Sequence, residues 1–328
     1  MAVLVTGGAG YIGSVTAEAL LEAGYEVVVL DDLSRGHREL VPDGATLVQG
    51  RVDDDAAVAR ALAAPSGGGA GGIEGVLHFA ALIEAGESMR EPERFFVDNT
   101  AATLRLLARL VDAGVGRFVL SSTAAVYGQP DRVPIDEDAP TAPTNVYGES
   151  KLAIERALWW LAELRGLRAA ALRYFNASGA TAHRGEAHDP ETHLIPIVLD
   201  AVAGRRDAVS ILGTDYPTRD GTCVRDFVHV ADLAQAHIAA LEALDERTSL
   251  VCNLGSGTGF TVREVIAAVE RVTGRTVPVE EAPRRPGDPP ELVASNARAR
   301  EVLAWEPAHT DLDAIVASAW DWHQRRHG

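Results

Sequence analysis

The sequence lacks the features that define disulfide-rich, membrane-spanning or exported chains. Its 328 residues include two cysteines, Cys223 and Cys252, which are too few for a disulfide framework. We therefore expect free thiols in a reducing cytoplasm. No run of about 18 apolar residues is present that could cross a membrane. The first strand-like run begins at residue 2, so we expect no signal peptide.

Positive charge is also scarce. The chain has 30 lysine and arginine residues against 47 acidic ones, which gives a net charge of −17. Because negative charge repels nucleic acids and anionic membranes, we expect neither as a partner. An anionic substrate must then be held by local arginines. With 47% hydrophobic and 23% charged residues, the chain is typical of a globular protein with one large or two modest domains.

The first 31 residues predict a strand, a tight turn, a helix and a second strand. An apolar run at 2–6 precedes a glycine-rich turn, and an amphipathic run at 14–23 follows it. A second apolar run at 25–30 then ends on Asp31. A helix N-terminus after such a turn offers free N–H groups to a phosphate. This arrangement predicts a dinucleotide site with Asp31 close to the ribose.

The turn contains Gly7, Gly10 and Gly13, in the spacing Gly-x-x-Gly-x-x-Gly. Glycines let the backbone approach a pyrophosphate closely and let the helix pack on the strand. This spacing resembles the turn of the extended short-chain dehydrogenase/reductase family. Asp31 favours NAD, because a carboxylate repels the extra phosphate of NADP. Arg35 is the opposing signal, since an arginine there could receive that phosphate.

Strands and helices alternate through much of the chain. Further strand-like runs lie at 46–48, 75–79, 117–121 and 168–175, and helical patterns lie at 54–64, 92–113, 145–165 and 312–322. This alternation predicts an α/β fold with a doubly wound parallel sheet of the Rossmann type. Ligands of such sheets bind at the carboxyl ends of the strands. We interpret the glycine-rich segment 65–72 as a flexible surface loop without function.

The character of the sequence changes after residue 176, where loops lengthen. We expect residues 1–176 to form an NAD-binding Rossmann domain. Residues 177–328 then form mainly a second, smaller, mixed α/β substrate domain. The division is not contiguous, because 249–254 has the pattern of one more strand of the first sheet. A segment near 223–255 is therefore expected to return to the first domain.

Tyr147 and Lys151 form a candidate catalytic pair, because residues four apart lie on one face of a helix. A free tyrosine has a pKa of about 10, so only about 0.1% is phenolate at neutral pH. A nearby ammonium and an oxidised nicotinamide would both lower this pKa and make Tyr147 a usable base. Thr123, at the end of a strand-like run, could hydrogen-bond the same substrate hydroxyl.

Other blocks extend the pattern over nearly the whole chain. They are His78-Phe79-Ala80-Ala81, Asn99, Arg173-Tyr174-Phe175-Asn176, Tyr216-Pro217-Thr218, Val224-Arg225-Asp226-Phe227-Val228-His229, Asn253-Leu254-Gly255 and Arg284-Arg285-Pro286-Gly287-Asp288. With the glycine turn and the Thr, Tyr and Lys triad, this set resembles the UDP-glucose 4-epimerases. Several blocks are specific to that family, whereas the fold would not distinguish it from its relatives.

The resemblance implies an NAD-dependent isomerase of galactose metabolism. Tyr147 would remove the proton of the sugar 4-hydroxyl while the hydride on C4 passes to tightly bound NAD. The 4-keto sugar would then turn over and take the hydride back on its other face. Such a pocket must hold UDP firmly and the hexose loosely.

The resemblance also assigns two sets of binding residues. Those that would bind NAD are Gly7, Gly10, Tyr11, Ile12, Gly13, Asp31, Val52, Phe79, Ala80, Asn99, Tyr147, Lys151 and Phe175. Those that would hold the UDP-sugar are Thr123, Asn176, His193, Leu194, Leu212, Arg225, Arg285, Asp288 and Leu292. An arginine pair suits a diphosphate, because a guanidinium can bind it through two parallel hydrogen bonds.

Five positions depart from the family pattern. Arg51 stands where the family often has an Asp near the adenine, and Ile83 where it often has a Lys near the nicotinamide. Leu212 replaces an aromatic residue that stacks on uracil in some members, and His193 replaces a frequent Asn. Leu292 replaces a bulky Tyr beside the sugar C2 group. The smaller side chain predicts room for an N-acetyl group, so UDP-N-acetylglucosamine is an alternative substrate.

One loop is rich in residue types that can bind a metal. His183, Glu186, His188, Glu191 and His193 cluster in one loop. Their spacing fits no zinc pattern, so we expect a polar substrate loop and no metal site.

A homodimer built from the helices at 92–113 and 145–165 is implied by the family resemblance. Trp159 and Trp160 are adjacent and cannot share one helix face. We therefore expect one of them to pack inward, while the other side of the helix faces the partner.

Three rival functions stay open at this point. A sugar-nucleotide 4,6-dehydratase would need an acid and a base beside Thr123, where Ala124 and Ala125 have no proton to give. An epimerase or decarboxylase acting on UDP-glucuronate would need a cation for the sugar carboxylate, and none can be assigned. An inactive NAD-binding regulatory protein would often have lost Tyr147 or Lys151, and both are present.

Overall fold

The structure is a computed structural model that describes residues 1–65, 72–285 and 287–328. Its strands are β1 (Ala2–Thr6), β2 (Glu26–Asp31), β3 (Thr46–Gln49), β4 (Ile73–His78), β5 (Arg117–Thr123), β6 (Arg168–Tyr174), β7 (Asn176–Ser178), β8 (Val209–Leu212), β9 (Val224–His229), β10 (Ser249–Leu254), β11 (Gly259–Thr261), β12 (Val279–Ala282) and β13 (Glu291–Leu292). The predicted glycine-rich loop at 65–72 lies almost wholly outside the described residues.

The α-helices cover both faces of the main sheet and the second region. They are α1 (Tyr11–Glu22), α2 (Asp55–Ala63), α3 (Ala85–Ser88), α4 (Pro92–Phe95), α5 (Ala102–Asp112), α6 (Val146–Arg165), α7 (Leu194–Val202), α8 (Val230–Ala243), α9 (Val262–Thr273), α10 (Ala297–Leu303) and α11 (Leu312–His327). Among the described residues, none of these helices has the length and apolar character needed to span a membrane.

The main sheet is parallel, with the strand order β10-β6-β5-β4-β1-β2-β3. Side chains of β1 alternate between two cores, as the two-residue period of a strand requires. Val3 and Val5 pack with α1, α8 and α10 on one face. Ala2 and Leu4 pack with α2, α5 and α6 on the other. The prediction of a doubly wound Rossmann-type fold is therefore confirmed.

The helix predicted over 92–113 is not continuous. The chain forms α4, then a π-helical segment at Phe96–Ala101, and then α5. A π turn is not visible in a pattern of period 3.6, because it inserts an extra residue into one turn. Here it contains Asn99, which is fully buried and points toward α6.

Two other boundaries differ from the sequence-based expectation. Helix α1 begins at Tyr11 rather than residue 14, because Gly10 is already its N-cap and accepts the hydrogen bond of Ser14. Helix α11 continues to His327 rather than ending at residue 322. Helix ends carry weaker patterns than helix centres, so such shifts are expected.

The second region is built around β9, which pairs with β7, β11 and β13, and around the short pair β8–β12. Its core is formed by α7, α9 and α11. Strand β10 pairs in parallel with β6, as the pattern at 249–254 predicts. Cys223 and Cys252 are both buried free thiols, as predicted.

Candidate active site

The glycine turn after β1 is shaped by close contacts that exclude side chains. Gly7 has a φ of +71°, and a Cβ there would lie 2.6 Å from the backbone nitrogen of Ala80. A Cβ on Gly13 would lie 2.2 Å from the carbonyl oxygen of Gly7. These contacts bring the start of α1 against the ends of β1 and β4. The N-cap, Gly10, gives α1 no side-chain cap, so its first N–H groups remain available to a phosphate.

Asp31 at the end of β2 is held by the backbone. Its Oδ2 accepts a hydrogen bond from Ala9 N at 3.0 Å, and its Oδ1 accepts one from Leu33 N at 2.8 Å. Burial raises the pKa of this carboxyl, while the two hydrogen bonds oppose the rise. A carboxylate has further lone pairs, so Asp31 can still accept hydrogen bonds from a ribose.

A cleft of about 390 Å³ runs along the carboxyl edge of the sheet. It brings together many of the residues predicted to bind NAD, namely Gly7, Gly10, Tyr11, Ile12, Gly13, Asp31, Val52, Phe79 and Ala80. Cβ atoms added to the glycines would fill the turn, and the carboxylate of Asp31 lies in the same cleft. A site of this shape and charge fits a dinucleotide.

Asn99 contributes to this region without lining the cleft. Its side chain accepts a hydrogen bond from Leu82 N at 2.8 Å and donates one to Leu82 O at 2.9 Å. It also donates to the hydroxyl of Ser150 at 3.2 Å. Asn99 therefore fixes the loop after β4, which does line the cleft, against helix α6.

Arg35, the opposing signal for NADP, is already engaged. Its guanidinium lies 3.6 Å from Glu84 and 3.9 Å from Glu87, and it donates to the carbonyl oxygen of Asp189 at 2.9 Å. Because two carboxylates already neutralise the guanidinium of Arg35, it would attract the extra phosphate of NADP only weakly. The geometry therefore agrees with NAD as the cofactor.

Arg51, one of the departures from the family pattern, lines the same cleft. It forms ion pairs at 2.9 Å with both Asp53 and Asp98, and lies 3.9 Å from Asp32. The hydrogen bonds to Asp53 and Asp98 raise the pKa of this guanidinium further. Arg51 is thus one member of an acid–base cluster at this end of the cleft.

Tyr147 and Thr123 meet where β5 ends and α6 begins. Helix α6 starts at the N-cap Asn145, whose side chain accepts a hydrogen bond from Gly148 N at 2.8 Å. Gly148 lets the helix approach the turn after β5 closely, because a Cβ there would lie 2.6 Å from Ala125 O. Thr123 lies close enough to Tyr147 for its hydroxyl to lower the pKa of the Tyr147 side chain.

The pKa of Tyr147 differs from the sequence-based expectation. Burial raises it to about 12, the hydrogen bond with Thr123 opposes the rise, and the charge of Glu84 adds to it. Lys151 is not among the groups that shift this pKa in the protein alone, so its contribution to the site with cofactor stays a prediction. The Nζ atom of Lys151 donates to the carbonyl oxygen of Ser121 at 2.8 Å, and burial lowers the pKa of Lys151 to about 7. An ammonium that is half deprotonated at neutral pH stabilises a phenolate only weakly.

The polar loop at 183–193 packs against the cleft. Glu186 lies 2.5 Å from His188 Nδ1 and 3.4 Å from His193 Nδ1, and Glu191 lies 2.8 Å from His193 Nδ1. Burial lowers the pKa of His193, but the hydrogen bond with Glu191 and the charge of Glu186 outweigh it and raise the pKa to about 9. His193 is therefore a cation at neutral pH.

One acidic residue that acts on the site, Glu84, was not named from the sequence. Glu84 influences the pKa of both Tyr147 and His193, and Glu186 and His188 line the cofactor cleft. No local spacing could have identified Glu84, because its proximity to Tyr147 and His193 arises only from the tertiary structure.

The predicted substrate residues lie mainly around β9. Asn176 donates to the carbonyl oxygen of Asp226 at 2.9 Å. Arg225, on β9, forms an ion pair with Asp288 at 2.5 Å. Leu292, on β13, is paired with Arg225 in the β13–β9 register.

The remaining predicted residues surround this group less tightly. His193 is the N-cap of α7, and Leu194 is its first residue. Leu212 ends β8, and Arg285 is exposed on the loop before β13. Phe175 and Leu292 are partly buried against one apolar cluster, formed by Ala124, Val126, Tyr127, Ile135 and Leu152.

A parallel sheet with a glycine turn and a cleft that fits a dinucleotide, together with Tyr, Thr and Lys side chains where β5 meets α6, defines a nicotinamide-dependent enzyme of the short-chain dehydrogenase/reductase type. Residues 3–255 match the NAD dependent epimerase/dehydratase family, and the chain belongs to that family.

Individual proteins of known name are similar to the chain over almost its whole length. The chain is 51% identical to the UDP-glucose 4-epimerase of Streptomyces lividans, over 98% of this chain and 95% of the relative. It is 44% identical to a UDP-glucose 4-epimerase of Brucella ovis solved in complex with NAD, with a TM-score of 0.93 and 98% coverage of both chains. A UDP-Glc/GlcNAc 4-epimerase of Campylobacter jejuni is 38% identical, with a TM-score of 0.85 and 99% coverage of both.

Proposed function

We propose that the protein interconverts UDP-glucose and UDP-galactose by inverting C4 of the sugar. The observation that carries this proposal is that Tyr147, Thr123 and Lys151 come together where β5 meets α6, with Lys151 hydrogen-bonded to Ser121, which lines the cleft that fits NAD. The names of the most similar relatives support the same substrate pair. The reaction has no net oxidation, so one cofactor can serve every turnover.

Tyr147 acts as the base that removes the proton of the sugar 4-hydroxyl, and Thr123 orients that hydroxyl by hydrogen bonding. NAD, held by the glycine turn and Asp31, supplies a hydride acceptor and a positive charge when bound. Because burial raises the pKa of Tyr147 to about 12 and Lys151 is not among the groups that lower it in the protein alone, the base depends on that added positive charge. Tyr147 returns the proton after the sugar has presented its other face.

The UDP part of the substrate is assigned to the surface around β9. Arg225 and Arg285 are proposed to bind the diphosphate, with Asn176 and His193 donating from neighbouring loops. Arg225 is held in place by its ion pair with Asp288 at 2.5 Å. A guanidinium fixed by a carboxylate loses less side-chain entropy when it binds an anion.

The same proposal assigns a different ligand to each of the two parts of the chain. Residues 1–176, with a returning segment near 223–255, bind NAD, and residues 177–328 mainly bind the UDP-sugar. The two buried free thiols support a cytoplasmic location.

A homodimer is proposed through the face formed by the π-helical segment, α5 and α6. Phe96, Val97, Leu104, Trp160 and Leu164 expose 40%, 58%, 40%, 62% and 68% of their surface there, while Trp159 packs inward. Exposed apolar side chains on adjacent helices are typical of a subunit interface. Sedimentation at micromolar concentration should show a dimer, and Leu164→Glu should shift it toward monomer.

The main test is incubation with UDP-galactose without added cofactor, followed by identification of the product. UDP-glucose is expected. With deuterium at C4 of the substrate, the label should remain in the product, because the hydride leaves and returns on the same carbon. Loss of the label to solvent, or accumulation of free reduced cofactor, would contradict the mechanism.

A second candidate substrate is UDP-N-acetylglucosamine. Leu292 is partly buried and packs on the same apolar cluster as Phe175, so the side chain at this point is a leucine rather than a larger ring. Comparable turnover of both sugar nucleotides would support this candidate. Leu292→Tyr should then lower turnover of the N-acetylated sugar and retain turnover of UDP-glucose.

A further inference from the structure

Two histidines on the last helix lie outside the candidate active site. His323 and His327 are one turn apart on α11, and their ring centroids are 4.8 Å from each other. Residues at i and i+4 point from the same side of a helix. Such a pair is the helical arrangement through which proteins bind transition metals.

A carboxylate from another helix completes the group. Asp200, on α7, lies with Oδ1 2.8 Å from Nε2 of His323. One ligand atom from each of Asp200, His323 and His327 can be chosen so that all three lie within 4.8 Å of one another. These residues share a cavity of about 410 Å³, which leaves room for an ion and its solvent ligands.

The histidines are in a suitable state for metal binding. His323 is buried, and its ring stacks on Trp320 at a centroid distance of 5.5 Å, which limits its orientation. Within the described residues, His327 forms no side-chain hydrogen bond. A neutral imidazole with a free lone pair is the form that binds a metal.

We propose that Asp200, His323 and His327 form a binding site for one divalent transition-metal ion, with solvent completing the coordination. Two imidazoles and a carboxylate suit Zn²⁺, Co²⁺ or Ni²⁺ rather than Mg²⁺ or Ca²⁺, which prefer oxygen ligands alone. Ligand atoms on tetrahedral zinc are about 3.3 Å apart, given bonds of about 2.0 Å. Small rotations of the side chains reach that spacing, and His327 is exposed and can rotate.

Arg205 competes with the ion. Its Nε lies 3.3 Å from Oδ1 of Asp200, so metal binding requires the guanidinium to move aside. The side chain of Arg205 is 48% exposed, which allows this movement. The net charge of −17 favours cations near the protein as a whole.

The group Glu186, His188 and His193 has a comparable spacing. It belongs to the candidate active site, and its imidazoles are already ion-paired with carboxylates. We therefore assign the metal to the α7–α11 group, where only one imidazole has a carboxylate partner.

The expected consequence of binding is structural. An ion held by both α7 and α11 would connect two helices of the core of the second region, and a ligand that binds only the folded chain raises the unfolding temperature. None of the three residues lines the cofactor cleft. Their own cavity is also lined by Tyr11, Glu186 and His193, so stability rather than turnover is the readout of this proposal.

The test is titration of tag-free protein, treated with EDTA and then freed of it, with ZnCl₂ by calorimetry and with CoCl₂ by visible absorption. One ion per chain, a rise in unfolding temperature and its reversal by EDTA are expected. His327→Gln should weaken binding about tenfold or more, because one imidazole ligand is lost. His183→Gln is the matched control, since His183 is exposed and outside the group.

Asp200→Asn is a second variant that removes the charged ligand and keeps a side chain of the same size. It should also weaken binding about tenfold or more. The absence of binding to the unaltered protein would overturn the proposal. Equal affinity in the unaltered protein, His327→Gln and Asp200→Asn would also overturn it. These outcomes do not depend on which sugar nucleotide the protein epimerises.

Discussion

Lys151 donates a hydrogen bond to the carbonyl oxygen of Ser121, with a distance of 2.8 Å between Nζ and the oxygen. Helix α6 and strand β5 are thereby connected at the point where Tyr147 meets Thr123. Lys151 is nearly inaccessible to solvent, with 1% of its surface exposed. The protonation state of Lys151 therefore depends on the buried surroundings of the site rather than on contact with solvent.

The titration of Lys151 can be measured directly, because it is the single lysine in the sequence. Protein containing lysine labelled with ¹³C at Cε should give one lysine signal. Since burial lowers the pKa of Lys151 to about 7, this signal should titrate near pH 7 in protein without cofactor. A titration midpoint near pH 10 would contradict the lowered pKa that burial gives Lys151.

The same pKa has a consequence for stability. Burial places the pKa of Lys151 at about 7 in the folded chain, whereas an unfolded lysine titrates near 10.4. Between these values the unfolded chain holds a proton that the folded chain has released. The contribution of Lys151 to the free energy of unfolding should therefore increase with pH from about 7 to about 10.4. In Lys151→Met this contribution should be absent.

The hydroxyl of Thr123 is expected to be needed for turnover and not for cofactor binding. Thr123→Val keeps the shape of the side chain and removes the hydroxyl that lowers the pKa of Tyr147. Turnover should fall about 10²-fold or more, since positioned proton-transfer groups contribute about 10²–10⁴. NAD affinity, measured by fluorescence, should change little.

Thr123→Ser is the matched control, because it keeps the hydroxyl that also accepts the hydrogen bond of Ala125 N at 3.1 Å. It should retain most of the activity. If Thr123→Val were as active as Thr123→Ser, the assignment of Thr123 to the reaction would be wrong. Tyr147→Phe should abolish turnover and keep NAD bound.

Cofactor choice is expected to depend on the partners of Arg35 as well as on Asp31. Asp31→Asn should lower NAD affinity, because a neutral amide is a weaker acceptor for ribose hydroxyls. It should give little NADP binding, since Glu84 and Glu87 remain beside Arg35. Adding Glu84→Gln and Glu87→Gln should release the guanidinium and increase NADP affinity. Calorimetric titration with both cofactors measures these changes.

Strong NADP binding by Asp31→Asn alone would show that the two glutamates do not restrain Arg35. Glu93→Gln is a suitable control in the Asp31→Asn background, because Glu93 is in the neighbouring helix α4 and has no contact with Arg35 among the described ion pairs. It should leave the NADP affinity of Asp31→Asn unchanged.

The buried ion pair of Glu155 and Arg173 should matter for stability. Glu155 accepts from Arg173 through both oxygens, at 3.0 and 2.6 Å, and from Ser122 at 2.5 Å. Removing one partner of a buried pair leaves an uncompensated charge and costs about 3–5 kcal/mol. Glu155→Gln should lower the free energy of unfolding in urea by an amount of this order.

Glu163→Gln, at an exposed position of the same helix, is the control and should change the free energy of unfolding by less than about 0.5 kcal/mol. Equal stability of the two variants would mean that the pair does not hold α6 to β6.

The local sequence pattern was enough to predict much of the fold, the cofactor-binding turn and the catalytic pair. The turn at Gly7, Gly10 and Gly13 needs only neighbouring residues, and Tyr147 and Lys151 are one helical turn apart. These features predict the Rossmann-type sheet and a cleft for NAD. The π-helical segment at Phe96–Ala101 escaped prediction, because its periodicity differs from that of an α-helix by a single residue.

The amino-acid sequence alone determined the strand and helix alternation, the phosphate-binding turn and the residue types of the catalytic pair, because each is encoded by residues close together in the chain. Only the tertiary structure decided that Lys151 binds Ser121 and has a lowered pKa, that Glu84 restrains Arg35, and that Asp200 meets two histidines of the last helix. Such relationships join residues far apart in the chain, and they depend on how helices pack on the sheet.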